Sequence, residues 1–453
     1  MSLPDSAPRL ADLATGSGEP PASASVPDTL RIAGKALLPT IAGGVIKRRP
    51  PVLSVAQKLQ LDQPSIPLFQ RLRRQYGPGP LVLRVPGRSI AVPLSGADAG
   101  RLLADSPEPF TPASLEKRAA LSHFQPHGVL ISAGGERAKR RAFNEAVLET
   151  ERPMHEVAAK AAAVVEEEAE GLPGGDGRLD WNAFDAAWWR VVRRIVLGDG
   201  ARADTELIAR LNRLRLAANW AYLGPRLGRL RERFDERLRA HLDRAEPGSL
   251  AQVLASTPAE PEVDPAGQVP HWLFAFDAAG MVTARTLALL ATHADQLARV
   301  REELAQADPG VAHPLPYLRA CVLDAVRLWP TTPVLLREST VDTQWGTGEL
   351  RAGTTFLIFT PFFHRDRETL PYADRFAPDV WLDGQAACKP ALAPFSGGPG
   401  ACPGRNLVLM TTTAMLAALI RRHDYALISA PDLDPNRPLP ATIDNFGLEF
   451  EAR

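Results

Sequence analysis

Apolar residues recur at helical spacing over most of this chain and alternate at strand spacing in only a few short pieces. Pro64–Tyr76 and Gly96–Ala104 predict helices, and between them Leu81–Val85 and Ile90–Val92 flank P-G-R-S, a hairpin signal. From Met154 to about Arg244 the pattern is helical, broken near Gly171–Gly177, with Trp181, Trp188 and Trp189 as core anchors. A loop-rich stretch, Glu246–Val269, precedes a long helix opened by Pro270 and running to about His293. Tyr317–Trp329 is amphipathic and stops before Pro330, and Leu407–Ile420 is an apolar helical run. Extended Thr331–Glu338, Trp345–Gly348 and Thr355–Phe359 predict a small sheet region.

The N-terminus differs. Residues 1–28 are rich in Pro, Ser, Gly and Ala and are expected to be flexible or loosely attached. Leu30–Val45 is more apolar and reads as a packing segment. The division expected is an extension over residues 1–49 and one domain over 50–453.

Composition narrows the field. A chain of 453 residues with 45% hydrophobic content can bury a large core. Its formal net charge of zero exerts no global pull toward nucleic acid or an acidic membrane. Cys321, Cys388 and Cys402 cannot all pair, and so few cysteines suit a reducing compartment. No apolar run approaches the ~20 residues of a membrane span, and the N-terminus lacks a basic segment followed by an apolar core. A soluble, cytoplasmic, monomeric protein is expected.

The chemistry concentrates at Pro394–Gly404, P-F-S-G-G-P-G-A-C-P-G, just before the Leu407–Ile420 run. One cysteine sits among glycines that let the backbone turn sharply and come close to something large. A thiolate needs positive character and N–H donors, and a helix start supplies both. Phe395, Gly398, Cys402 and Gly404 reproduce F-x-x-G-x-x-x-C-x-G, and on this motif the chain resembles the cytochrome P-450 family. The resemblance makes Cys402 the axial ligand of a haem iron, where thiolate donation favours O–O cleavage. The fold it implies is mainly α: a large helical part, a small β-rich lobe, and one haem b between them.

Upstream motifs follow in the family's order. A-G-M-V-T resembles the oxygen-binding helix motif A-G-x-D/E-T-T/S, so Thr283 is expected as a distal proton relay, with Phe276, Ala279 and Gly280 as the distal wall. At about 100° per residue, Phe276, Ala279, Gly280, Thr283 and Leu287 share one face. Val282 stands where an acid is usual, and Asp277 lies about 120° off the Thr283 face. L-D-A-V-R-L-W-P resembles the E-x-x-R helix, with Asp324 in place of Glu, Arg327 three residues on, and Arg375 of A-D-R-F completing a buried structural triad. Arg137 and Arg141, one turn apart, together with Arg337 and His364, are expected to serve the haem propionates. Gly400 stands where the family commonly has another cation. Phe110, His123, Phe124 and Val334 are expected at the substrate pocket, and Lys139 with Arg140 as a surface patch for an acidic electron donor.

The function implied is monooxygenation of an apolar organic substrate with O2, using electrons from a separate ferredoxin or flavodoxin and its reductase. Val282 keeps open a peroxide-driven peroxygenase or an isomerase using the same haem. A haem-binding protein without turnover is the other class of reading.

Overall fold

The structure is a computed structural model that describes residues 21–346 and 348–453. Its helices are α1 (Val26–Ile32), α2 (Leu38–Gly43), α3 (Pro50–Leu59), α4 (Ser65–Tyr76), α5 (Gly96–Ala104), α6 (Leu115–Leu121), α7 (Gly134–Val147), α8 (Ala158–Ala169) and α9 (Trp181–Leu197). They continue as α10 (Thr205–Ala218), α11 (Gly228–Leu242), α12 (Leu250–Ser256), α13 (Val269–Thr292), α14 (Ala294–Ala305), α15 (Pro316–Leu328), α16 (Thr360–His364) and α17 (Arg405–Arg422). The strands are β1 (Leu81–Val85), β2 (Arg88–Val92), β3 (Phe110–Thr111), β4 (Arg178–Asp180), β5 (Val334–Ser339), β6 (Thr343–Trp345), β7 (Gly348–Leu350), β8 (Thr355–Phe359), β9 (Tyr425–Leu427) and β10 (Glu449–Ala452).

Local chemistry sets many of the helix starts. The side chains of Ser95, Ser114, Asp180, Asp204 and Ser249 each accept an N–H from the third residue of the helix they precede. A cap of this kind is worth about 1 kcal/mol. The β1–β2 hairpin turns at Pro86–Gly87, and β2 pairs in parallel with β8. That sheet has the order β1-β2-β8-β5-β3, with Arg337 of β5 opposite Phe356 of β8. A three-stranded sheet, β4-β10-β9, and the β6-β7 hairpin complete the strands.

The main core gathers α9, α13, α15 and α17, with Trp188, Leu287, Leu318 and Leu416 buried among them. A second core lies under the five-stranded sheet, where Phe69 stacks on Phe359 at 5.0 Å between ring centres. Each large apolar side chain so buried contributes roughly 1.5–3 kcal/mol against exposure. Among the described residues one helix, 266–292, is long and apolar enough to cross a membrane, and 83% of its apolar window is buried inside the protein. It is the central core helix.

The N-terminal expectation needs correction where it can be compared. The first twenty residues lie outside the described ones, but Ala24 is fully buried and Ser23 bridges to Val82. Asp28 binds Arg31, Arg71 and the Tyr76 hydroxyl, which ties α1 to α4.

Candidate functional site

Two backbone contacts fold the cysteine loop onto the start of α17. The Cys402 N–H donates to the Phe395 carbonyl at 2.9 Å, and the Cys402 carbonyl accepts from the Arg405 N–H. The Gly404 N–H is close enough to the sulfur to favour its negative form. Gly398 has φ +58°, and a Cβ there would lie 2.2 Å from the Leu103 carbonyl oxygen, so only glycine fits. Gly404 is under no such constraint, because the nearest atom to its Cβ position is Leu148 Cδ1 at 3.7 Å. Arg141 donates to the Ala401 carbonyl at 2.7 Å and the Thr150 hydroxyl donates to the Pro403 carbonyl at 2.9 Å, which fixes the loop from α7. Burial pushes the Cys402 thiol up, against the Gly404 N–H and the charges of Arg141 and Arg405.

The expected propionate group divides on inspection. Arg137 and Arg337 are buried, and among the described residues neither has a carboxylate partner. Arg137 donates to the Val129 carbonyl at 3.2 Å. Arg337 donates to the Leu336 carbonyl at 3.0 Å and to Ser396 Oγ at 3.2 Å, while its Nε has no partner. Burial and then Arg137 push Arg337 down to about 10, so it stays charged at neutral pH.

Arg141 does not join them as expected, because its guanidinium pairs with Glu145 at 2.6 Å and holds the cysteine loop. His364 also stands apart. Its Nε2 accepts the Ala393 N–H at 3.1 Å, and burial followed by Arg327 lowers its pKa to about 3, so it is neutral and no cation. The Lys139–Arg140 patch is not free either. Lys139 pairs with Glu260 at 2.5 Å, and Arg140 is buried on Ser132 and Glu136.

On α13 the Thr283 hydroxyl donates to the Ala279 carbonyl at 2.9 Å, and Thr286 repeats the arrangement with Val282. The face expected to line the distal side is turned elsewhere. A Cβ on Gly280 would lie 2.9 Å from the Trp188 indole, and Trp188 Nε1 donates to the Phe276 carbonyl at 2.8 Å. Gly280 and Phe276 therefore pack α13 onto α9. The partly accessible positions in the first half of α13 are His271, Phe274, Ala275 and Ala278, which repeat at i, i+3, i+4 and i+7. By helical arithmetic Val282 continues this face and Ala279 and Thr283 border it. Asp277 is on neither side of the reaction face: it is buried in ion pairs with Lys47 and Arg215, each at 2.8 Å.

The Asp324–Arg327 pair is saturated without the Arg375 side chain. Asp324 Oδ1 accepts from Arg327 Nε (2.6 Å) and Trp381 Nε1 (3.1 Å). Its Oδ2 accepts from Arg327 Nη2 (3.0 Å) and the Ala377 N–H (2.7 Å). The other three N–H groups of Arg327 go to the carbonyls of His364, Ala373 and Arg375. A carboxylate has about four acceptor sites and a guanidinium five donors, so both groups are full. The Arg375 side chain is exposed and reaches the Pro435 carbonyl at 3.4 Å, which corrects its assignment to the triad. Trp381 takes the place expected of it. The shorter carboxylate draws an indole and a backbone N–H into the position of a second guanidinium.

The remaining pocket residues fare unevenly. Phe110 is fully buried in the sheet core, edge-on to Phe356 at 5.4 Å, and is not a pocket residue. Phe124 lies edge-on to Phe274 of the partly open α13 face at 5.9 Å. His123 is bonded to the Ala221 carbonyl at 3.0 Å. Val334, Leu335 and Leu336 are partly accessible although their strand lies inside the sheet.

Sequence reasoning missed Ala275, Ala278, His271 and Trp381. The first three carry a detectable signal, the i, i+3, i+7 spacing. Trp381 carries none, since it lies 57 residues from its carboxylate partner.

Residues 275–444 match the family model described as Cytochrome P450. Similar proteins include a probable cytochrome P450 4s3 of Drosophila melanogaster, 28% identical over 39% of this chain and 35% of that protein. The chloroplastic carotene epsilon-monooxygenase of Arabidopsis thaliana is 29% identical over 47% of this chain and 42% of its own length. A cyclooctat-9-en-7-ol 5-monooxygenase of Streptomyces melanosporofaciens is 30% identical over 34% of this chain and 36% of its own. The chain thus spans between about a third and two fifths of the length of these curated relatives. The retinoic acid-bound cyanobacterial CYP120A1 has the same fold, with TM-score 0.69 and 19% identity over 85% of this chain and 93% of that one. This family implies a haem cofactor. The residues present suit one: a cysteine sulfur with a backbone N–H close by, and two buried guanidiniums without carboxylate partners that could take two propionates.

Proposed function

We propose that this chain, with the cytochrome P450 fold and that family's segment at residues 275–444, is a haem-thiolate monooxygenase acting on an apolar organic substrate. The observation that carries the reading is the Cys402 loop, folded back by the Cys402 N–H on the Phe395 carbonyl, pinned by Arg141 on the Ala401 carbonyl, and closed by a Gly398 that only glycine fits. Haem bound there would supply the oxygen chemistry: with two electrons and two protons, one atom of O2 enters a C–H or C=C bond and the other leaves as water.

This chain's own residues orient and move protons. Cys402 would hold the iron of a bound haem, and Arg137 and Arg337 would hold its propionates. The Thr283 hydroxyl spends its proton on the Ala279 carbonyl, which leaves its oxygen free to accept from a water and keep that water's other proton aimed at the site. Ala275 and Ala278 leave space for substrate, and Phe274 and Phe124 give the pocket an apolar wall. Electrons come from a separate ferredoxin or flavodoxin approaching on the Cys402 side, where Arg405 is exposed.

A second reading has a specific support. Val282 is apolar, and Asp277, the acid nearest in sequence on α13, is committed to Lys47 and Arg215. No carboxylate of α13 is placed to relay protons, which favours peroxide as the oxidant. Product formation with a ferredoxin–reductase pair and NAD(P)H, compared with peroxide alone, separates the two. Donor-driven turnover above the peroxide rate supports the monooxygenase, and the reverse order supports the peroxygenase. Cys402→Ala should abolish the visible haem spectrum and both activities. An unchanged spectrum would sink the haem-thiolate reading.

A further inference from the structure

Lys117, on α6, has a setting that no role described so far explains. Its Nζ donates to the Leu336 carbonyl at 3.2 Å, and that same oxygen accepts from Arg337 Nη1 at 3.0 Å. The two cations are therefore no farther apart than the sum of those two bonds. Arg137, reaching in from α7, lies within electrostatic range of both. Three basic side chains from three separate elements converge, although like charges at such spacing repel.

Among the described residues no carboxylate forms an ion pair with any of the three; Glu116 and Glu145 act on them only from a distance. The adjacent carboxylate, Glu116, is turned to Arg88 at 2.5 Å. His271 of α13, facing the same side, is held neutral, its pKa pushed to about 4 by burial and then by Lys117. Burial, then Arg337 and Arg137, likewise depress Lys117 itself well below the ordinary lysine range. An anion set among these groups would offset their repulsion and hold Lys117 in its charged form. Ser106 Oγ, buried without a partner, borders the same space.

Gly400 supplies the second, independent observation. A Cβ on it would lie 2.8 Å from Arg337 Nη2 and 3.4 Å from Ser106 Oγ. Position 400 has no side chain of its own, and the Arg337 guanidinium occupies the space a Cβ there would enter. Lys117 brings a basic group to the same place from α6, through the Leu336 carbonyl it shares with Arg337.

We infer that Lys117 binds a haem propionate, supplying from α6 a cation that the glycine at position 400 does not. The assignment rests on the haem reading above. A carboxylate on a substrate would offer the same chemistry, so the test must separate the two sources.

The full-length apo-protein is reconstituted with haem b and, in parallel, with haem dimethyl ester, whose propionates are uncharged. Haem dissociation is followed by transfer to apomyoglobin for wild type, Lys117→Gln and Lys117→Arg. A lost charge-assisted hydrogen bond predicts that Lys117→Gln releases haem b about tenfold to a hundredfold more readily. The same variant should release the dimethyl ester at the wild-type rate, and Lys117→Arg should retain haem b. Equal loss of both porphyrins would mean a structural role and overturn the assignment. Unchanged haem retention, with weakened binding of fatty carboxylates in an optical titration, would also overturn it and give Lys117 to the substrate. A wild-type protein that holds neither porphyrin would remove the haem reading itself, a result distinct from either of these.

Discussion

Arg215 of α10 and Asp277 of α13 meet at 2.8 Å with side chains only 1% and 4% exposed. Lys47 completes the group from the N-terminal side at 2.8 Å. The backbone beside it is held as firmly. Asn219 Oδ1 accepts the N–H groups of Ile46 and Lys47, Asn219 Nδ2 donates to the Lys47 carbonyl, and Arg215 donates to the Ile46 carbonyl. One short strap is thereby pinned to α10 and α13 together. The acid that sequence arithmetic placed off the reaction face is a structural group.

This cluster predicts a two-sided pH dependence of stability. Burial disfavours the Asp277 carboxylate, but Arg215 and Lys47 outweigh it and hold its pKa at about 2. Its stabilisation is present above the unfolded carboxylate range and is lost as pH falls toward that value. Asp185 on α9 behaves oppositely, pushed up to about 6 by burial and then by Asp277. The folded state holds its proton where the unfolded chain has released it, so stability declines as pH rises from about 4 to 6. Between about pH 4 and 6 the urea midpoint of Asp185→Asn should gain on that of wild type, a comparison in which the opposing titration of buried His271 and His364 cancels because both proteins share it. Asp277→Ala, which leaves a buried guanidinium unpaired, should cost about 3–5 kcal/mol at neutral pH. A midpoint that does not move with Asp277→Ala would refute the strap.

A second prediction follows from the saturated Asp324–Arg327 pair. Asp324→Ala strands a fully buried arginine and removes acceptors from Trp381 and Ala377, so a loss of about 3–5 kcal/mol is expected. Asp324→Glu restores the charge but adds a methylene where four donors already fit, and should still cost about 1–3 kcal/mol. Arg375→Ala should fall within about 0.5 kcal/mol of wild type, because its side chain is exposed and only its carbonyl serves Arg327. Denaturant titration of the three variants checks the order. Equal losses for Asp324→Ala and Arg375→Ala would restore the side-chain triad.

Much of this arrangement was legible because local signals carried it. The long helix from Pro270, the Gly96–Ala104 helix, the first hairpin and the cysteine loop all rest on periodicity, caps or turn residues within a few positions of one another. What failed was phase and partnership. Helix α13 is apolar around most of its circumference, so its pattern fixes its pitch without fixing which side meets α9. That is how Phe276 and Gly280 came to be expected on the open side in place of Ala275 and Ala278. Lys47–Asp277, Trp381–Asp324 and Lys117–Leu336 join residues far apart in the chain, and no short window contains both members. Arg375 illustrates a subtler loss: the motif identified the right residue, but the fold uses its backbone carbonyl and sends its side chain away.

The phase of α13 can be tested directly, because its two faces should respond to added volume in opposite ways. Gly280 has no room: a methyl there would sit 2.9 Å from the Trp188 indole, whose Nε1 is committed to the Phe276 carbonyl. Gly280→Ala must push α13 and α9 apart or break that hydrogen bond, and overpacking of this kind costs about 1–3 kcal/mol. Ala278 is partly accessible and lies one turn from Phe274 on the face shared with His271 and Ala275. Ala278→Leu should leave stability within about 0.5 kcal/mol and instead reduce the space available to a ligand. Optical titration with a panel of terpenes, steroids and fatty acids, alongside a thermal melt, reads both quantities on the same samples. The expected result is a destabilised Gly280→Ala with near-normal ligand affinity, and a stable Ala278→Leu whose affinity for bulky members of the panel drops. The opposite pairing, with Gly280→Ala tolerated and selective while Ala278→Leu unfolds, would put the pocket back on the Phe276 face.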